Sequence, residues 1–282
     1  MFEVVFEADN GKTFIFGPSG SNWFGMNIGD GMEVTLGTSQ GFSQIGEKVE
    51  NQSVGGRPID VIGQIYGDIV TVKNALRNTC APLTSGRLVF QKTHYIRVYV
   101  KAAPTFSAVK SNGLFKMQFY APFPFYRSLD EEMYYVGAVE ANFSFPVNYG
   151  TAHRFGTRAS AKYITVNNTG DVRIPFKVYL RSNSTCTNIT ITNMTTFAFL
   201  RINGTLNAGD VVEVYRDDDN VLRAELTSNE QVSDIISWID EESSLFELDV
   251  GDNIITATDD GGGTSLTAQF TFSPAVVALY ES

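Results

Sequence analysis

Few residues in this sequence could carry acid–base or metal chemistry. The 282 residues include two histidines, His94 and His153. Neither lies in the HxxxH or HExxH spacing of a helical zinc site, and neither is placed beside a nucleophile as a Ser-His-Asp triad requires. We therefore predict no catalytic residue, no metal site and no cofactor, and we expect that the protein is not an enzyme.

Carboxylates are abundant, but no spacing singles out a catalytic pair. Glycoside hydrolysis needs two carboxyl groups that face each other across the scissile bond. Glu140, Asp240–Glu242 and Glu247 are available, yet they lie in solvent-like clusters, so a wall-degrading glycosidase is the least favoured function. Asp217–Asn220 resembles half of a calcium loop without its glycine and final glutamate. We interpret it as a charged hairpin turn, with weak cation binding as the alternative.

Two aromatic residues in the second half are candidates for contact with a sugar. Sugar sites typically present aromatic rings on one exposed face, where they act as stacking platforms. Tyr215 and Trp238 are the obvious candidates. Trp238 also fits a buried core position, which we favour.

The charge distribution argues against nucleic acid as a partner. The formal net charge is −10, and from Thr205 onward there are 17 acidic residues and two basic ones. Such an acidic segment repels a phosphate backbone, although it could steer a basic partner. No apolar run approaches the roughly 18 residues of a membrane helix. The acidic residues inside the N-terminal apolar run argue against a secretory signal, and Cys80 and Cys186 are expected to be reduced.

The segment from Arg57 to Val100 predicts a strand, a helix and a hairpin in succession. Residues 59–66 form a β-branched apolar run. Ile69–Cys80 then shows helical spacing, with Asp68 at the N-cap position and a proline soon after the last turn. Residues 1–16 predict another hairpin around an Asn-Gly turn. Residues 17–56 are glycine-rich, with one short strand at Met32–Leu36.

The second half predicts a β-sandwich. Short alternating segments are separated by turn signals every 8–12 residues, as in a sandwich or barrel. Ser228–Ile239 is a second possible helix, and the last segment, 275–280, is predicted to be a strand that closes one of the two domains. The aromatic-proline run 120–126 is interpreted as a core plug. The predicted strands are Lys162–Val166, Val172–Leu180, Cys186–Ile191, Thr196–Ile202, Val211–Tyr215, Leu222–Leu226, Leu245–Leu248, Asn253–Thr258 and Ser265–Phe272, and the turn signals include Asn168–Gly170, Asn203-Gly204 and Gly251–Asn253.

The order of these features resembles the distal tail protein family of siphophages, the long non-contractile-tailed bacteriophages. The motifs that carry the resemblance extend over most of the chain. They are Arg57 with Ile59–Gly67, the Ala75-Leu76 helix, Gly86-Arg87-Leu88, Ala121–Phe125, Asn168–Gly170, Leu206–Asp210 and Leu248–Ile254.

The resemblance implies a virion structural protein at the tail tip, made in the cytoplasm of the host bacterium. The implied fold is mainly β with minor α: a ring-forming N-terminal α+β domain, residues 1–135 with the last strand at 274–282, and a galectin-like or carbohydrate-module-like β-sandwich at 136–273. The implied assembly is a hexameric ring, the baseplate hub, between the tail tube protein and a tail-associated tip or fibre protein. A receptor-binding protein or cell-wall polysaccharide is a further expected partner.

A second function stays open. In it, the C-terminal sandwich recognises host cell-wall polysaccharide, and Tyr215 and Trp238 are the residues that would contact the sugar.

Overall fold

The computed structural model divides into two compact units, Met1–Leu129 with Val276–Ser282 and Asp130–Ala275. It describes residues 3–17, 23–29, 31–32, 34–43, 45–65, 67–107, 113–136, 139–140, 157–158, 163–217, 220–244, 246–261 and 266–279. The prediction of a mainly β protein with minor α is confirmed. The predicted domain boundary after residue 135 stays a prediction, and the division by contacts falls after Leu129.

The described residues form 23 strands, one α-helix and one short 3₁₀-helix. The elements are β1 (Val4–Ala8), β2 (Thr13–Phe16), β3 (Trp23–Gly29), β4 (Val34–Ser39), β5 (Lys48–Val54), β6 (Arg57–Ile65), α1 (Ile69–Thr79), β7 (Ser85–Phe90), β8 (His94–Phe106), β9 (Gly113–Ala121), β10 (Tyr126–Ser128), β11 (Glu132–Val136), β12 (Val139–Glu140), β13 (Thr157–Arg158), β14 (Ile164–Asn168), β15 (Lys177–Ser182), β16 (Cys186–Asn193), β17 (Phe199–Leu206), β18 (Val211–Arg216), β19 (Leu222–Ser228), β20 (Gln231–Asp234), the 3₁₀-helix Ile236–Trp238, β21 (Gly251–Thr258), β22 (Leu266–Phe272) and β23 (Ala275–Val276).

The first unit is built on an antiparallel sheet in the order β2-β1-β7-β8-β9-β6-β3. Side chains alternate along its strands, so that one face of β6, with Ile59, Val61 and Ile65, is buried. Helix α1 contacts β2 and β8, with Leu76 fully buried. The predicted N-cap is confirmed, because the Asp68 carboxylate accepts a hydrogen bond from the backbone N–H of Thr71 at 3.2 Å.

A buried arginine ties the C-terminal residues to this unit. Arg57 is 2% exposed, and its Nη2 donates to the carbonyl oxygen of Val277 at 2.9 Å. Its guanidinium lies 4.7 Å from the ring centroid of Tyr126, the last residue of the aromatic-proline run. Val276 and Leu279 pack against the same apolar core. The predicted core plug is therefore correct for Tyr126, which is 2% exposed.

Strands β4 and β5 form a separate two-stranded hairpin. In its register, four aliphatic residues share one face, whereas residues such as Thr35 and Ser53 share the other. All four aliphatic side chains are exposed to solvent. They are Val34 (55%), Leu36 (52%), Val49 (50%) and Val54 (46%).

The second unit contains two larger sheets, as the sandwich prediction requires. One has the order β11-β22-β15-β18-β19-β20, and the other has the order β14-β21-β16-β17. Inward-facing residues of both are buried, for example Val178, Phe270, Ile191 and Ile255. This alternation of buried and exposed positions is what the periodicity of the sequence predicted.

Several predicted boundaries in this unit are wrong. Ser228–Ile239 is a hairpin turn, strand β20 and one 3₁₀ turn rather than a helix, because Asn229 and Glu230 adopt positive φ angles of 48° and 64°. Asn203-Gly204 lies inside β17 and is not a turn. Of the predicted strand Leu245–Leu248, the described residues 246–248 form a single bridge, between Leu248 and Ile174.

Candidate assembly and binding surfaces

Tyr215 lies on the outer face of the six-stranded sheet, within a polar and aromatic cluster. Lys177 and Tyr179 lie in β15, and Glu213 and Tyr215 lie in the adjacent strand β18. The Lys177 ammonium lies 4.8 Å from the ring centroids of both Tyr179 and Tyr215. It also forms an ion pair with Glu213. We call these four residues the tyrosine cluster.

The electrostatics of the tyrosine cluster keep its donors protonated. Tyr215 donates its hydroxyl hydrogen to Glu225 at 3.2 Å. Burial, reinforced by the negative charge of Glu225, raises the pKa of Tyr215. Burial opposes the charge of Lys177, but hydrogen bonds to Glu213 and Tyr179 outweigh it and raise the pKa of Lys177. The cluster therefore combines two aromatic rings, an ammonium and a carboxylate, a set of groups that suits polyhydroxylated ligands.

Trp238 occupies a different place from Tyr215. It ends the 3₁₀-helix and is half-buried against β17 of the four-stranded sheet. A Cβ atom on Gly204 would lie 2.1 Å from its ring, so the glycine is what permits this contact. The structure does not bring Tyr215 and Trp238 onto one face. Their contact with sugar stays a prediction.

The residues considered for acid–base and metal chemistry are scattered. His94 is partly buried, which lowers its pKa, and its Nδ1 lies 3.0 Å from the Thr93 hydroxyl oxygen. His153 lies outside the described residues. Among the described residues, no three His, Cys, Asp or Glu side chains gather into a group that could hold a metal ion.

The possible cation loop Asp217–Asn220 is described at its two ends only. The Asp217 carboxylate accepts hydrogen bonds from Arg223 Nε and from the backbone N–H of Val221, both at 2.9 Å. These contacts support the interpretation as a charged hairpin turn.

Buried asparagine side chains in the second unit, among them Asn168 and Asn253 of the sequence motifs, form hydrogen bonds that hold turns together. The Asn168 amide donates to the carbonyl oxygens of Val172 (2.9 Å) and Leu248 (3.1 Å). Asn253 and Asn193 are fully buried, and the Asn193 amide donates to Asn253 Oδ1 at 3.1 Å. An amide both donates and accepts, so it can satisfy the carbonyl and N–H groups that a turn leaves unpaired.

Two features of the site were missed by sequence reasoning. The apolar face of the β4–β5 hairpin was visible as alternation at Val34 and Leu36, but the glycine-rich context concealed the second strand. The tyrosine cluster depends on the register between β15 and β18, which sequence spacing alone does not supply.

Comparison with known proteins agrees with this architecture. Residues 169–273 match the family model of the siphovirus-type tail component, C-terminal domain. The crystal structure of the Dit protein of phage SPP1, described as a paradigm of the hub adsorption apparatus in phages that infect Gram-positive bacteria, is 14% identical. The match covers 97% of this chain and 99% of that one, with a TM-score of 0.64. No curated protein sequence matches the chain.

Two baseplate structures of phage P2 give weaker matches. They were solved in the activated conformation, one with calcium and one with strontium. The calcium form is 10% identical with a TM-score of 0.49, and the strontium form is 9% identical with a TM-score of 0.48. Each match covers 96% of this chain and 98% of the phage P2 chain. Scores of this size are too low to define a shared fold.

Residues 169–273 therefore carry the C-terminal domain of a siphovirus-type tail component, and the fold along nearly the whole chain is that of a distal tail protein. The resemblance to the siphophage distal tail protein family is confirmed. The matched domain agrees with the expected role as a structural protein of a siphovirus-type tail and with the expected localisation in the virion. This structural role agrees with the expectation that the chain is not an enzyme. No helix among the described residues is long and apolar enough to cross a membrane.

Proposed function

We propose that the chain forms a hexameric ring at the distal end of a long non-contractile tail, where it joins the tail tube protein to the tip or fibre protein and so to the host-adhesion apparatus. The observation that carries the proposal is the β4–β5 hairpin. Its four aliphatic side chains face solvent on one side, and a two-stranded hairpin of this kind is marginal in water by itself. A neighbouring copy of the chain is the surface that would cover them.

A closed ring of identical subunits can cover the same apolar patch on every copy in turn, without leaving any of them exposed. The number six comes from the resemblance to the distal tail protein family.

Solution mass tests this proposal. One chain has a mass of 31.0 kDa, so light scattering on a size-exclusion column should show a species of about 186 kDa, six times that value, or a concentration-dependent step towards it. Leu36→Asp places a charge on the apolar face of the hairpin and should prevent the ring. Ser53→Asp places the same charge on the polar face and is the matched control.

Two results would count against the ring. One is a wild-type chain that stays at 31.0 kDa at every concentration and gives no sixfold rings in negative-stain images of tails. The other is an equal loss of the ring in both variants, because the apolar face would then have no special part in assembly.

A second candidate function is recognition of host cell-wall polysaccharide by the second unit, and a receptor-binding protein is the other partner proposed there. The tyrosine cluster favours the polysaccharide, because it places two aromatic rings, an ammonium and a carboxylate together on an outer sheet face. The full-length chain should then sediment with purified cell walls. Tyr215→Ala should release it, whereas Tyr163→Ala, an exposed tyrosine elsewhere in the unit, should not. Sedimentation that neither variant changes would exclude the cluster as the sugar site.

A further inference from the structure

The outer face of the four-stranded sheet carries an exposed apolar surface. It consists of Tyr163, Met194, Phe197, Phe199 and Ile254, and we call it the β14–β17 face. The exposed fractions are 63% for Tyr163, 76% for Phe197, 45% for Met194 and 40% for Ile254. Such a group of large apolar side chains on one surface is typical of a site of protein–protein contact.

The strand register makes this face continuous. Ile254 of β21 pairs with Thr165 of β14, and its carbonyl oxygen accepts from the N–H of Met194 at 2.7 Å. In the next row, Thr256 pairs with Thr192, which pairs with Phe199. The residues that follow in sequence, such as Ile255, are buried on the inner face. The apolar side chains are therefore neighbours with threonines between them.

Hydrogen bonds hold the loop that presents Met194 and Phe197 against strand β21. The Asn193 side chain accepts from the N–H of Thr195 at 2.9 Å, and Thr195 Oγ1 accepts from the N–H of Ile254 at 3.1 Å. Phe197 has a φ of 60°, an unfavourable conformation for an aromatic residue. A strained backbone that displays an exposed aromatic ring is typical of a functional position.

We propose that the β14–β17 face docks another protein of the assembled tail. The partner presents an apolar surface that is bordered by basic side chains. Threonines and apolar residues fill the centre of the face, and the charged residues Asp252 and Arg201 lie in the rows at its two ends. Depletion of charge at the centre, with aromatic residues and Met, is the composition of an interface core.

The charge of the surrounding unit decides against a second copy as the occupant. Residues 130–275 contain 21 acidic and nine basic residues. Two copies that met through this face would bring two strongly acidic units together, which like-charge repulsion disfavours. A partner with lysine or arginine around an apolar centre avoids that repulsion and is attracted by the net negative charge of the unit. The inference rests on the proposed function, because it requires the chain to be built into a tail.

Cysteine protection in intact virions tests the inference. Thr165→Cys reports on the β14–β17 face, Thr38→Cys on the apolar side of the hairpin, and Thr227→Cys, on the other sheet of the second unit, is the control. All three threonines are exposed, and the native Cys80 and Cys186 are buried, so background reaction with a maleimide is low. We expect labelling of Thr165→Cys to fall about tenfold or more from the purified chain to the virion, because interface cores exclude solvent. Thr227→Cys should label equally in both.

The labelling of the Thr165→Cys and Thr38→Cys variants distinguishes failure of the docking inference from failure of the ring. Equal labelling of Thr165→Cys in chain and virion overturns the inference. If Thr38→Cys is protected in that case, the ring stands without the docking surface, and if both positions react, both proposals fail. Protection of Thr165→Cys already in the purified chain would mean self-association through this face and would also overturn the inference.

A second variant separates docking from folding. Phe197→Gly removes the aromatic ring and supplies the residue that most readily adopts a positive φ. The purified variant should melt at the same temperature as the wild type or higher, whereas virions that carry it together with Thr165→Cys should lose the protection. Retained protection would mean that Phe197 has no part in the contact.

Discussion

Replacing Asn253 by aspartate should destabilise the second unit strongly at neutral pH and less in mild acid. The buried Asn253 amide nitrogen makes its two short hydrogen bonds to the carbonyl oxygens of Asp249 (2.8 Å) and Gly251 (3.0 Å), and the carbonyl oxygen of Val166 lies 3.5 Å away. Its oxygen accepts from the backbone N–H of Asp249 and from Asn193 Nδ2, both at 3.1 Å. An ionised aspartate keeps the two accepted bonds, but it places a carboxylate oxygen against two carbonyl oxygens.

The magnitude follows from the two donated bonds. Each loss leaves a carbonyl group without its donor at a cost of about 1–3 kcal/mol, so we expect a decrease of about 4 kcal/mol in the free energy of unfolding at pH 7. Burial raises the pKa of the introduced carboxyl group above its unfolded value of about 3.9. Protonation is then favoured in the folded state and restores one donor. The penalty should therefore shrink as the pH falls through the folded pKa, by up to about 1.4 kcal/mol per pH unit.

Urea denaturation followed by tryptophan fluorescence measures this penalty. The protein has two tryptophans, so a Trp23→Phe background leaves Trp238 as the reporter of the second unit. Asn229→Asp makes the same chemical change at an exposed turn and should cost less than about 0.5 kcal/mol. A penalty for Asn253→Asp that is the same at pH 5 and pH 7, or below about 1 kcal/mol at pH 7, would refute the reasoning.

Three further predictions concern single side chains. Gly204→Ala should cost about 1–3 kcal/mol and shift the emission of Trp238, because the new methyl group would overlap the indole ring; unchanged fluorescence and stability would contradict the packing. Burial raises the pKa of Cys80 to about 12, so little of the reactive thiolate is present at pH 8. Its reaction with a maleimide at that pH should be about a thousandfold slower than that of a free thiol, and it should become fast when urea unfolds the first unit. Asp68→Ala should lower the melting temperature of the first unit, and Asp68→Asn should restore most of it, because asparagine can also accept from Thr71; equal effects of both would point to charge rather than capping.

The sequence predicted those elements whose local signals agree with one another. Ile69–Cys80 combined helical spacing with an N-cap and a nearby proline, and the helix Ile69–Thr79 has these bounds to within one residue. The N-terminal hairpin was equally clear, because an Asn-Gly turn separates two alternating segments. In each case the residues that determine the element lie within a few positions of it in sequence.

The missed elements depend on contacts between distant residues. Ile235, Ile236 and Ile239 imitate a helical face, but Ala224 accepts a hydrogen bond from the N–H of Ile235 and draws the segment into the sheet. Asn203-Gly204 has the composition of a turn, yet the glycine lies inside β17, where any larger side chain would overlap the ring of Trp238. The tyrosine cluster and the β14–β17 face likewise depend on strand register, which neighbouring residues do not encode.

The bond from Arg57 to the carbonyl oxygen of Val277 spans 220 positions of the chain. During synthesis, strands β11 to β22 of the second unit, 130–275, are all translated before this acceptor exists. The first unit, although its residues are made first, is therefore finished last. A growing chain cannot complete the first unit until residues 276–279 have been translated, so the order of the sequence delays any assembly through that unit. Truncation near residue 276 should consequently damage the first unit and leave the second one folded.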